Sequence, residues 1–136
     1  MDVTQFRLIA GDFAAQFKFY RDVVGLKPQF DNPDGPYVAF KPEHGSAIAL
    51  HDRTDLAGVV PDLTPAAGDR ALLVLRVDDL DATIAELTER GAGHITAPVE
   101  LDGRIRCAYL RDPERNLIEL QQWLVARNGG PVPPAS

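Results

Sequence analysis

The 136-residue chain has a single cysteine, Cys107, so it can form neither an intrachain disulfide nor a zinc site built from several thiolates. Its stability must come from packing. No stretch approaches the ~18 apolar residues of a membrane-crossing helix. The start, MDVTQFRLIAGD, lacks the basic, apolar and small-residue segments of a secretory signal. These absences predict a cytoplasmic protein with no membrane partner. Acids exceed bases by 20 to 14, and the resulting net charge of -6 disfavours a nucleic-acid backbone as partner. It gives a weak, long-range bias toward cationic ligands. No G-x-S-x-G, Walker A, dinucleotide glycine fingerprint or H-E-x-x-H occurs, so hydrolase, nucleotide-binding and zincin chemistry have no motif.

What the chain does have is a repeat. VTQFRLIAGDFAAQFKFYRDVVG, residues 3–25, and RALLVLRVDDLDATIAELTERG, residues 70–91, each read as apolar strand, aspartate, amphipathic helix and glycine. Asp12 and Asp79 stand 67 positions apart, each where a helix N-cap belongs. Phe13, Phe17, Tyr20 and Val24 fall on one helical face, as do Leu80, Ile84 and Leu87. Gly25 and Gly91 are placed to end the helices in the left-handed conformation.

After each helix the pattern changes to period two with turn punctuation. Strands are expected at roughly 27–32, 37–42 and 46–52 in the first half, with turns at 32–36 and at His44-Gly45. In the second half they are expected at roughly 94–100, 104–111 and 116–124, with turns at Asp102-Gly103 and 112–116. The expected fold is α+β, two βαβββ modules forming one domain over residues 1–126. Module one spans about 1–52, a connection 53–69, and module two about 70–126. Residues 127–136, rich in glycine and proline, are expected to fray.

Strand alternation then separates two faces. Phe6, Leu8, Ala10, Ile48 and Leu50 belong under the first helix, and Leu73, Leu75, Val77, Ile118 and Leu120 under the second. The opposite faces carry Gln5, Arg7, Ala49 and His51 in module one. In module two they carry Leu72, Arg76, Glu119, Gln121 and Trp123. Tyr37 and Tyr109 add aromatic area, although parity alone leaves the side of Tyr109 open. Such a mixture of aromatic walls and a few polar groups suits a small organic ligand. Glu119, flanked by core residues, needs a polar partner. Cys107 reads as an inert buried thiol.

The segments LIAGDFAAQFKFYRDVVGL, VLRVDDLDATIAELTERGA and DPERNLIELQQW together resemble the vicinal oxygen chelate superfamily. That group includes glyoxalase I, extradiol dioxygenases, fosfomycin-resistance enzymes and bleomycin-resistance binding proteins. The resemblance covers residues 3 to about 124. It implies paired mixed sheets forming a cleft, commonly in a homodimer, and in the enzymes a divalent metal held by four ligands. Those ligand positions fall here on Gln5, Ala49, Leu72 and Glu119, and alanine and leucine cannot ligate. Arg115 stands where the family's turn usually has glycine. The resemblance therefore implies a member with no metal and no cofactor that sequesters an aromatic or cationic cytotoxic compound. The expected ligand-binding residues are Gln5, Arg7, Tyr37, Ala49, His51, Leu72, Arg76, Tyr109, Glu119, Gln121 and Trp123. The alternative is a lyase or isomerase using Gln5, Glu119 and His51, with or without a divalent metal, or Glu119 as a metal-free base.

Overall fold

The computed structural model describes residues 1–41 and 46–135, so His44 and its turn lie outside the described residues. Two compact units divide the chain, Met1–Gly68 and Asp69–Ala135. In the first, β1 (Gln5–Ala10) leads into α1 (Phe13–Lys18), a π-helical turn (Phe19–Val23), β2 (Tyr37–Phe40), β3 (Ala47–Asp52) and α2 (Arg53–Ala57). Its sheet order is β1-β3-β2, with β1 parallel and β2 antiparallel to β3. In the second, β4 (Leu72–Val77), α3 (Leu80–Glu89), β5 (Val99–Leu101), β6 (Ile105–Arg111) and β7 (Leu117–Trp123) give the order β4-β7-β6-β5. β4 runs parallel to β7, and the remaining pairs are antiparallel.

The repeat is real in local detail. Asp12 accepts from the Ala15 amide at 3.1 Å and Asp79 from the Ala82 amide at 3.0 Å, so both aspartates cap their helices as the sequence predicts. The first helix departs from expectation halfway. Val24 N–H donates to the Phe19 carbonyl five residues back at 3.0 Å, and Leu26 N–H reaches the Tyr20 carbonyl at 2.9 Å. This wider turn lets two consecutive aromatics, Phe19 and Tyr20, both be buried, edge to face at 5.2 Å. Phe17 and Tyr20 flank Phe40 with ring centroids at 6.1 and 6.3 Å, tying the helix to β2. Burying each such ring contributes about 2–3 kcal/mol.

Three strand expectations need correction. Residues 27–32 form no strand; Pro28 makes only an isolated bridge to Phe40, and one ladder bond survives, from Gln29 N–H to the Ala39 carbonyl. Pro28 has no N–H to give, and Pro33 ends the run, so a continuous ladder cannot form there. The strand expected at 94–100 shrinks to Val99–Leu101 because Pro98 likewise lacks a donor. Phe6, expected under the helix, is 54% exposed near the start of β1, which among the described residues is an edge strand paired with β3. Ala10, Leu50, Ile118 and Leu120 are buried as parity predicts, whereas Leu8, Ile48, Leu73, Leu75 and Val77 are half-buried. Ala47 and Ala49, expected on the open face, are buried because β3 is the central strand of its sheet. The connection after β3 is not all loop. Asp52 accepts from the amides of Thr54 and Asp55 and starts α2.

Two turns in the second unit fix its register. Asp102 and Gly103 both have positive φ, and Arg104 N–H bonds the Leu101 carbonyl, which makes the two-residue hairpin expected of an Asp-Gly pair. Between β6 and β7 the buried Asp112 carboxylate accepts from the amides of Glu114 and Asn116 and from the Asn116 side chain, at 2.8–3.0 Å. Arg115 there has φ 73°, the left-handed conformation that a glycine adopts most readily. Among the described residues no helix is long and apolar enough to cross a membrane.

Candidate functional site

On the first unit, strand register sets Gln5 opposite Ala47, Arg7 opposite Ala49 and Ile9 opposite His51, with Tyr37 beside His51. The polar side chains of this face bond one another. Gln5 Nε2 donates to the Tyr37 hydroxyl at 2.5 Å, Arg7 Nε donates to Gln5 Oε1 at 2.6 Å, and Arg7 Nη1 donates to His51 Nδ1 at 3.1 Å. A guanidinium has only donors, so His51 Nδ1 is an acceptor and the ring proton sits on Nε2. That proton is given to Asp55 Oδ2 at 2.7 Å. Arg7 also lies 5.3 Å from the Tyr37 ring centroid. His51 is 8% exposed, and both of its nitrogens are used.

On the second unit a parallel chain runs up β7. Trp123 Nε1 donates to Gln121 Oε1, Gln121 Nε2 donates to Glu119 Oε2, and the Tyr109 hydroxyl donates to Glu119 Oε1, each at 2.8 Å. Register places Tyr109 directly beside Glu119, which settles the side that strand parity left open. The buried Glu119, 8% exposed, thus has an accepted bond on each oxygen. Cys107 Sγ lies 3.5 Å from the Tyr109 hydroxyl. The Cys107 contact first, then the Glu119 carboxylate and burial, hold the Tyr109 hydroxyl well above the usual phenol range. Tyr109 is therefore a fixed donor to Glu119.

The upper end of this face is arginine-rich. The Arg76 guanidinium stacks on Trp123 at 4.1 Å from its centroid and Arg127 approaches to 5.6 Å. Next to them lies a cavity of about 150 Å³ lined by Arg104, Ile105, Gln121, Trp123, Val125 and Arg127. Pockets that bury a drug-sized molecule hold roughly 300–1,000 Å³. This one accommodates a ring or side group rather than a whole compound.

The family model described as the Glyoxalase/Bleomycin resistance protein/Dioxygenase superfamily matches residues 3–120. The chain belongs to this superfamily. It is 32% identical to the YraH protein of Bacillus subtilis (strain 168), with 91% of this chain and 100% of that protein covered. Among solved structures it is similar to TnmS3, an antibiotic binding protein from Streptomyces sp. CB03234. The identity there is 28%, the TM-score 0.68, and 90% of this chain and 96% of that chain are covered. A glyoxalase/bleomycin resistance protein/dioxygenase family enzyme from Burkholderia phytofirmans PsJN shares the fold at TM-score 0.75 and 24% identity, over 91% of this chain and 100% of that chain.

The metal of the superfamily's enzymes does not fit the residues present. Ala49 and Leu72 offer no donor, Gln5 has its amide engaged at both ends, and both Glu119 oxygens accept hydrogen bonds. His51, the conceivable substitute, has no free nitrogen. Among the described residues no group of three His, Cys, Asp or Glu side chains is arranged to hold an ion.

The sequence-predicted residues thus fall into two groups. Gln5, Arg7, Tyr37 and His51 share the first unit's face, with buried Ala49; Arg76, Tyr109, Glu119, Gln121 and Trp123 share the second's. Leu72 stands on that second face, 45% exposed. Sequence reasoning missed Asp55, Arg104, Val125 and Arg127. Asp55 is four residues past His51, a spacing that places both on one side once Asp52 starts a helix. The other three lie at or beyond strand ends, where face parity no longer applies.

Proposed function

We propose that this protein binds a planar aromatic small molecule on the second unit's sheet face, without metal, and protects by sequestering an antibiotic or similar cytotoxic compound. The observation that carries this reading is the Arg76–Trp123 stack above the Gln121–Glu119–Tyr109 chain. Trp123 gives a flat surface, its indole N–H oriented by Gln121, and the neighbouring arginines offer donors to ligand oxygens. The similarity to an antibiotic binding protein supports the same reading. Local charge favours an oxygen-rich or acidic aromatic. The net charge of -6 acts at long range and is screened, whereas Arg76, Arg104 and Arg127 stand at contact distance.

Sequestration needs affinity and no proton shuttle. The groups that could abstract a proton, His51 and Glu119, are tied up in hydrogen bonds, which favours binding over turnover. We further propose that the protein acts in the cytoplasm as a homodimer. Among the described residues β4 is an edge strand, and its Leu72 and Val74, 45% and 46% exposed, suit burial by a second copy. Calorimetric titration with glycopeptide, enediyne and anthraquinone-type compounds tests the binding. Saturable heat in the presence of a chelator is expected, and no saturable heat with any of them overturns the proposal.

A further inference from the structure

The segment after β7 has a composition that predicts fraying, yet it returns to the ligand face and is held there. A turn first reverses it. Gly129 N–H bonds the Ala126 carbonyl, and Gly130 N–H bonds Asn128 Oδ1 at 2.9 Å. The following Pro131-Val132-Pro133-Pro134 is stiff because three of its four residues have φ fixed by a ring. Pro also cannot donate, so this stretch offers neighbours mainly carbonyl oxygens. One of them, the Pro133 carbonyl, accepts from Arg76 Nη2, and Ala135 N–H donates to Asp78 Oδ1 at 2.7 Å. Both anchors lie at the C-terminal end of β4, and Arg76 is the arginine stacked on Trp123. The guanidinium is not saturated by this contact. Arg76 Nε is buried and, among the described residues, has no acceptor.

We propose that residues 131–135 are a displaceable strap whose Pro133 carbonyl occupies the oxygen subsite of Arg76. The ligand admitted on the Trp123 face is then an aromatic carrying an anionic or carbonyl oxygen that replaces it. This rests on the binding reading above and adds to it the gate and the group that is recognised. An anionic oxygen on Arg76 makes a charge-assisted bond, stronger than that of the neutral Pro133 carbonyl. It also has a second donor, Nε, available to it. The strap is a weak competitor because it contributes two hydrogen bonds and little apolar burial.

Trp123 is the only tryptophan in the chain, so its fluorescence reads this surface directly. Two proteins are compared, the full chain and one ending at Gly130, which keeps the preceding turn. Deleting 131–136 is expected to raise the acrylamide quenching constant of Trp123 at least twofold, and to tighten anthraquinone-2-sulfonate binding, measured by calorimetry, about tenfold. Asp78→Ala, which releases one anchor without touching Trp123, is expected to give an intermediate result. In the intact chain the Ala135 amide is expected to exchange with solvent more slowly than an unstructured terminus. Unchanged quenching together with free exchange at Ala135 overturns the strap, whatever the ligand. Increased quenching with unchanged sulfonate binding, including none in either protein, overturns its role as a gate.

Discussion

The two units carry the same β-strand and capped-helix opening, but their polar faces are finished differently. In the first, Tyr37, Gln5, Arg7, His51 and Asp55 form a chain of four hydrogen bonds within the unit. In the second, the chain from Tyr109 to Trp123 is equally ordered at its base, but it ends in an aromatic ring, a cavity and an arginine with a buried donor to spare. The first face uses both nitrogens of His51 and both ends of the Gln5 amide, whereas Arg76 Nε on the second has no acceptor among the described residues. The binding proposed above draws on this difference, with the first face read as a structural network and the second as the recognition surface.

The largest expected effect comes from breaking what holds the second face in register. Asp112→Ala removes the buried carboxylate that accepts three hydrogen bonds in the β6–β7 turn and should cost about 3 kcal/mol, read by urea unfolding. Next comes the contrast between the faces. Trp123→Ala should weaken binding of an anthraquinone-type ligand by about 2 kcal/mol, roughly 30-fold, as expected for a central aromatic contact. Arg7→Ala should leave that affinity within about twofold, because Arg7 is engaged within the first unit. Equal losses in the two variants would erase the distinction drawn between the units.

A smaller effect of opposite sign is expected at Arg115. Glycine removes the cost of a left-handed non-glycine residue, so Arg115→Gly should stabilise by about 1 kcal/mol in the same unfolding assay. The smallest concerns acid. The Arg111 guanidinium holds the Asp69 carboxyl below the usual aspartate value of 3.8 by hydrogen bonding first and by charge second. A carboxyl depressed in the folded state stabilises above its unfolded pKa and loses that contribution as pH falls through the folded value. The stability difference between wild type and Asp69→Asn should therefore be constant from neutral pH to about 5 and shrink below 4.

Much of this was legible in the chain. The 67-residue offset located both helix caps, and strand parity placed Arg76, Glu119, Gln121 and Trp123 on one face. What was hidden depends on donors and on packing that sequence periodicity does not express. Pro28 and Pro98 interrupt stretches that look strand-like, because a ladder needs an N–H that composition does not count. The π turn answers a demand to bury two adjacent aromatics, which a 3.6-residue period cannot represent. Asp55, Arg104 and Arg127 sit just outside the elements to which parity applies. The proline-rich tail was read from composition as loose, whereas Arg76 and Asp78, nearly sixty residues earlier, supply its anchors.

Recognition on the second unit's Trp123 face, without a metal, can be tested at one atom. The single indole N–H of Trp123 gives one isolated signal in a nitrogen-15 correlation spectrum, so one titration decides it. With a chelator present, adding an anthraquinone-type ligand should shift that signal saturably, following the same isotherm as calorimetry. An indole signal that stays fixed while ligand binds, or that moves only after a divalent metal is supplied, would place recognition elsewhere or make it metal-dependent.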